Sequence, residues 1–417
     1  MTRSSQIVII GAGPYGLSLA AHLRARGIDF RIFGHAMESW RAHMPAGMNL
    51  KSDGFASDLY DCERTFTLQR FCAQHQLPYG EVGVPVPLET MVAYGLDFQA
   101  RLVPNLEERT VTYLDRGDDG FRLRLDDGET LNASHIVVAV GQRHFRHIPE
   151  SLAYLPQKFV SHSSDHSDID WLSDREVIIV GGGASALDIA ALCQETGSRV
   201  RVLVRKAGLR FTSKPEPKTL WKRVRSPMSG LGGGWDNLFF AKAPGLFRYF
   251  PSQLRSHLSS TILGPAGGWS VRKRILGRVP ILAGHSLLRA EVRDTKIWLQ
   301  VQSAKGQVEL AADHVIAATG YRVDLRRLDF LSDKLRSSIR TTSNAPALSP
   351  NFQSSAPGLY FLGIAALQSF GPVMRFLYGA GYSADRVSAH IARDAVTAGL
   401  EQVPSISFGE SHEPPPA

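Results

Sequence analysis

The sequence predicts an α/β chain in which one parallel-sheet unit is nested within another, each carrying β-hairpin insertions. Three observations lead there. An apolar strand, a glycine-rich turn and a helical pattern stopped by glycine occur at residues 6–33 and again at 176–204, about 170 residues apart. Each is followed by hairpin-like alternation, at 106–142 and at 290–310. Each unit then closes on a similar short apolar strand, HIVVAVG at 135–141 and HVIAATG at 314–320.

In chain order, the run QIVIIGAGPYGLSLAAHLRARGIDFRIF places Leu17, Ala20, Ala21 and Leu23 at helical spacing, and Gly27 is a helix-stop signal. The Gly-Asp-Asp-Gly and Asp-Asp-Gly clusters in 106–142 are turn signals between alternating residues. In the second unit, EVIIVGGGASALDIAALCQETGSRVRVLV predicts a helix over 184–195, a stop at Gly197 and a strand from Arg199. The domain boundaries expected are 1–155 for the first unit, 156–300 for the second, 301–395 for the return to the first, and a disordered tail at 396–417 rich in proline. Residues 207–285, dense in Gly, Pro, Trp and cations, read as an insertion in the second unit.

The 417 residues suffice for two or three cores, and 43% hydrophobic with 21% charged residues is ordinary globular composition. No stretch is long and apolar enough for a membrane span, and the N-terminus lacks the pattern of a secretory signal, so a cytoplasmic location is expected. Cys62, Cys72 and Cys193 form no CxxC or similar pair, which argues against a disulfide scaffold, a zinc site and a redox dithiol; no metal is expected. The net charge of +8 is uneven: residues 201–290 hold 17 Lys and Arg against two acids. Within them, rings and cations interleave from Trp221 to Tyr249. That mixture suits a lid packed on the second unit, the surface of an anionic membrane, or an entrance for a lipophilic substrate. No nucleic-acid module is visible, so no nucleic-acid partner is expected.

The first turn, Gly11-Ala12-Gly13-Pro14-Tyr15-Gly16, is a GxGxxG between a strand and a helix, the arrangement of a Rossmann-like dinucleotide site. Chemically, one glycine makes the turn, the next lets a diphosphate approach the backbone, and the last lets helix and strand pack. The helix tip then supplies N–H groups and positive dipole. The second turn, Gly181, Gly182, Gly183, Ala184, Ser185, Ala186, is the GxGxxA form. The strand after it ends in Arg205 and Lys206, where cations suit a 2′-phosphate and thus NADPH. At the equivalent place in the first unit, Phe33-Gly34-His35 lacks the usual ribose-binding acid, and Glu38 lies too far along in simple register. Two dinucleotide sites in one chain imply electron transfer between two cofactors, with FAD beside NADPH as the usual pair.

The order GAGPYG, GGGASA and DHVIAATGY (313–321) resembles the class B flavoprotein monooxygenases over roughly residues 6–390. Of their FxGxxxHxxxY/F fingerprint, aligned on Pro156, Lys158, His162 and His166, only the central His162 is kept. Stretches at 33–60, 264–269 and 369–376 are similar to a bacterial branch sometimes labelled FAD-dependent urate hydroxylases. The resemblance implies a glutathione-reductase-like FAD/NAD(P) fold. It also implies FAD contacts at Gly11, Gly13, Pro14, Tyr15, Gly16, Trp40, Arg41, Gln142, Gly363, Phe370, Gly371 and Pro372. The implied activity is NADPH- and O2-dependent oxygenation of a small organic substrate through a C4a-(hydro)peroxyflavin. The alternative is a reductase passing electrons to a quinone or a protein. Such chemistry asks little of side chains as acids or bases; Lys51, Asp53 and Arg375 are the catalytic candidates.

Overall fold

The computed structural model describes residues 7–214 and 220–400. Its first sheet is parallel, in the order Leu359–Phe361, His135–Val138, Ile7–Ile10, Arg31–Phe33, Leu106–Glu107. The second is parallel too, in the order Ile281–Ala283, Arg199–Val204, Glu176–Val180, His314–Ala317, Val160–His162. In both, the strand entering the glycine turn is central, between the strand after its helix and the closing strand. Sheets covered on both faces are built from near-continuous apolar strands, and Ile7–Ile10 and His314–Ala317 are buried throughout.

Each unit also holds a three-stranded antiparallel meander, at Val111–Gly117, Gly120–Leu125, Thr130–Ala133 and at Ser286–Arg293, Lys296–Ser303, Gly306–Ala312. The turn clusters sit where alternation breaks, so the pattern was readable. The second meander and its closing strand stay with the second sheet through Ala317. A boundary at 300 therefore cuts a strand, and the chain returns to the first unit after Gly320. The reason is that Ile297, Leu299 and Val301 bury against Val315 and Ala317.

Both crossover helices follow their patterns. Pro14–Ala25 buries Leu17, Ala20, Ala21 and Leu23, and Gly27 follows it in the left-handed region; Ala184–Glu195 ends before Gly197. The return segment ends in the helix Gly379–Leu400, which packs along Pro14–Ala25 and is tied to it by Arg26–Asp385 at 3.1 Å. That helix runs past the expected start of the tail at 396, and residues 401–417 lie outside the described residues. No helix among the described residues is long and apolar enough to cross a membrane.

The insertion corrects one expectation. From Trp235 to Leu263 it packs on the first unit, not as a lid on the second. Phe240 and Phe247 are buried in the first unit's core, 5.9 Å apart between ring centres, and Phe247 lies against Gly371. The rings pack with Phe370, Val373, Met374 and Leu377 of the first unit's core, which buries their apolar surface there. From Pro265 onward the chain returns to the second unit, where Gly267 pairs with Phe211 and Ile281–Ala283 joins the sheet.

Candidate functional site

The first glycine turn is shaped by contacts that admit no side chain. Gly11 has φ +113°, and a Cβ there would stand 2.4 Å from the Ala139 carbonyl oxygen. A Cβ on Gly16 would stand 1.9 Å from the Gly11 oxygen. Gly13 differs, because a Cβ there would meet nothing within 4 Å. It is the N-cap of the helix starting at Pro14, with no side-chain cap, so the helix tip is left open for a ligand. These are the demands of a bound diphosphate: two glycines for packing, one for approach.

This turn opens into a cavity of about 1080 Å³, at the upper end of sizes usual for ligand sites. Gly11, Gly13, Pro14, Tyr15, Trp40, Gln142 and Gly363 line it, as do Lys51, Asp53 and Arg375. Tyr15 donates its hydroxyl to the Phe376 oxygen at 2.8 Å and lies against Gly363, joining the turn to the C-terminal segment. Of the other expected residues, Gly16 serves packing alone, and Arg41 is exposed off the wall, donating to Ala36 oxygen at 3.4 Å. Phe370 stacks on Phe352 at 3.8 Å, Gly371 supports Phe247 and Pro372 is buried; none of the three lines the cavity.

Gly34 is poorly suited to carry the missing acid, because its φ of +131° strains any side chain and a Cβ there would lie 3.1 Å from the Ala12 nitrogen. Glu38 reaches the wall by another route. Met37 is left-handed, with φ +54°, and starts a short helix whose first residue is Glu38. That turn defeats linear register. Sequence reading also missed Arg109, Thr110 and Val111, which line the cavity beside the first sheet. It missed Thr212–Lys214 and Trp269 from the second unit, where the Lys214 ammonium lies 5.3 Å from the Trp269 ring. A cation near an aromatic, separated by an irregular loop, leaves no local pattern.

Of the ionisable candidates, Lys51 is exposed at the cavity wall, while Asp53 and Arg375 are half-buried. Desolvation pushes the Lys51 ammonium down from the ordinary lysine range, Asp188 opposing, while Lys51 donates to the Ala266 oxygen at 3.1 Å. Burial raises Asp53, partly offset by the Gly83 N–H at 3.2 Å. Arg375 is lowered by burial and donates to the Ser259 carbonyl, with no carboxylate partner among the described residues. His162 is away from the wall: its ring bonds Ser164 and the Gly320 carbonyl, and burial pushes it to about 4. It fastens the turn that follows the strand His314–Ala317.

The second turn repeats the first. Gly181 has φ +144°, with the Ala318 oxygen 2.3 Å from any Cβ, and Ala186 is fully buried. Gly183 caps the helix at Ala184 and faces Pro265, 3.4 Å from a would-be Cβ. Ser185, Arg205 and Lys206 are exposed beside it. This turn lies off the cavity wall, which the second unit reaches through Thr212–Lys214 and Trp269.

Residues 8–226, more than half of the chain, match the sequence profile described as pyridine nucleotide-disulphide oxidoreductase. The chain belongs to that family. Among curated family relatives, it is 28% identical over 350 residues to indole-3-pyruvate monooxygenase YUCCA1 of Oryza sativa subsp. japonica, covering 76% of each chain. It is 24% identical over 209 residues to ferredoxin–NADP reductase of Paraburkholderia xenovorans (strain LB400), covering 49% of this chain and 52% of that one. Among solved structures, reduced ornithine hydroxylase PvdA from Pseudomonas aeruginosa superposes with TM-score 0.75 at 17% identity, over 94% of this chain and 100% of that one. Bacillithiol disulfide reductase Bdr from Staphylococcus aureus does so with TM-score 0.63 at 16% identity, over 94% and 99%. At such identities the likeness is one of fold, the two-dinucleotide-domain architecture. The family's name mentions disulphide, yet this member's three cysteines are free and unpaired.

Proposed function

We propose that this chain is an FAD- and NADPH-dependent monooxygenase acting on a small organic substrate. The observation that carries the reading is the open helix tip at Gly13, facing a large cavity walled by both units, in a chain with no cysteine pair. The chain therefore lacks the neighbouring redox dithiol that would relay electrons from flavin to a disulfide, whereas use of dioxygen calls for none. The relative matched over most of its length is a monooxygenase by name.

Bound FAD would supply a two-electron relay between nicotinamide and dioxygen. The chain's own residues hold and shield it. The Gly11–Gly16 turn would grip its diphosphate, and Glu38 would accept hydrogen bonds from its ribose hydroxyls. Gly181, Gly183, Ala184, Ser185 and Ala186 would take the NADPH diphosphate, with Arg205 and Lys206 on its 2′-phosphate. Trp40, Met44, Met48, Met228, Trp269 and Met374 line the cavity with apolar surface that would limit the access of water to a bound flavin. Lys51 and Arg375 would provide positive charge to an anionic group held in the cavity.

The half-length match to ferredoxin–NADP reductase favours a second reading, electron transfer to a protein or quinone acceptor. Stoichiometry separates the two. With a panel of amines, thioethers and aromatic acids, a monooxygenase couples NADPH and O2 consumption to oxygenated product for at least one compound. NADPH oxidation that is fast with a quinone or ferredoxin, yet uncoupled with every compound, supports the reductase and ends the first reading.

A further inference from the structure

We propose that the outward face of residues 221–254 is a docking surface for an anionic lipid bilayer. Of the 17 large apolar side chains exposed among the described residues, eight fall within this stretch. Trp221 is 85% exposed, Tyr249 75%, Trp235 60% and Leu246 51%. The segment carries large apolar side chains on both its inner and outer sides. Phe240 and Phe247 turn inward and anchor it to the first unit, while Trp235 and Leu246, on the same two elements, turn outward. A helix facing water alone would be polar on its outer side. Patches of rings and aliphatics on this scale mark an interaction site.

Charge selects the occupant. Residues 220–262 hold six Lys and Arg against one acid, Asp236. Arg225 and Lys242 are exposed and make no ion pair among the described residues. A second copy of this chain would bring the same sign to the contact. A bilayer with anionic headgroups offers both complements at once, with cations over phosphate and rings at the interfacial depth where tryptophan and tyrosine are favoured. Ser229, Leu231 and Asn237 of the same insertion line the cavity, so a substrate dissolved in the membrane would enter from this face. That last step rests on the monooxygenase reading; the membrane contact does not.

The test is co-sedimentation of the full chain with vesicles of pure phosphatidylcholine and with vesicles holding about 30 mol% phosphatidylglycerol, at about 0.1 M salt. The expected result is binding to the anionic vesicles only. Arg225→Gln and Lys242→Gln should each weaken it about fivefold, the factor worth about 1 kcal/mol per surface cation. Trp235→Ser combined with Tyr249→Ser should abolish it. Flavin content and thermal midpoint of these surface variants report folding, and quenching of native tryptophan fluorescence by brominated lipid gives a readout without mutation. No binding to either vesicle overturns the proposal. So does self-association that the Trp235→Ser, Tyr249→Ser variant removes, or a single-stranded nucleic acid that displaces the vesicles at the same salt. Each of these can occur with flavin fully bound, so failure here is separable from failure of the enzymatic reading.

Discussion

Alanine at Gly13 and alanine at Gly16 probe the same turn with opposite consequences. At Gly13 the backbone is extended, with φ −85°, and a methyl meets nothing within 4 Å, so the folded protein accepts it. Alanine loses less chain entropy on folding, worth about 0.4–1 kcal/mol in its favour, and is a poorer N-cap than glycine by a similar amount. The net change in stability is within about 0.5 kcal/mol. The methyl nevertheless occupies the approach to the helix tip, and loss of one charge-assisted N–H contact to phosphate costs about 1.5–3 kcal/mol. FAD affinity should thus fall about 10- to 150-fold. At Gly16 the methyl would lie 1.9 Å from the Gly11 oxygen, backbone against backbone, and the cost should be about 3 kcal/mol or more of stability. Urea unfolding of the flavin-free proteins and FAD titration by quenching of flavin fluorescence measure the two quantities separately. Wild-type FAD affinity in a well-folded Gly13→Ala protein would refute the diphosphate assignment.

Three further outcomes are expected. His162 and His314 are fully buried and pushed to about 4 by burial, against 6.5 when unfolded. The unfolded chain binds more protons between these values, so stability is present above pH 6.5 and is lost as pH falls toward 4. Each histidine should cost about 1.4 kcal/mol by pH 5.5, seen as a lower urea midpoint, and a midpoint flat from pH 7 to 5.5 would contradict this. Arg205→Ala should raise the KM for NADPH about 10- to 100-fold while leaving NADH use unchanged, as steady-state kinetics with both coenzymes would reveal; an equal change for both denies its role at the 2′-phosphate. Phe247→Ala empties a fully buried site that holds the insertion to the first unit, and should cost about 3–5 kcal/mol in thermal or urea unfolding. A loss under about 1 kcal/mol would mean the insertion is not docked there.

What was legible in the sequence was local. Gly11, Gly16 and Gly181 are forced by backbone contacts within one turn or with an adjacent strand, and the helices at 14–25 and 184–195 carry their own spacing and stops. The two closing strands announce themselves because burial on both faces leaves only apolar residues. What escaped depends on tertiary choice. Nothing in HAMESWR marks Met37 as left-handed, so linear register places Glu38 out of reach although it lines the cavity. The insertion's rings read as a lid for the unit that encodes it, but Phe240 and Phe247 join the other unit's core, a contact between segments far apart in sequence. Phe370 and Pro372 sit in a flavin-like sequence context yet spend their surface on Phe352 and the core. Thr212–Lys214 lines the cavity next to the pairing of Phe211 with Gly267, a contact across an irregular loop that no local pattern marks.

The central claim is that two glycine-lined helix tips hold two different coenzymes for electron transfer between them. Its most direct measurement is the visible spectrum of the purified full chain, with flavin released by denaturation and counted per chain, followed by anaerobic addition of NADPH. The account predicts one FAD per chain and loss of the yellow bands with NADPH faster than with NADH. Colourless protein that takes up no added FAD, or flavin that NADPH leaves oxidised, would contradict it.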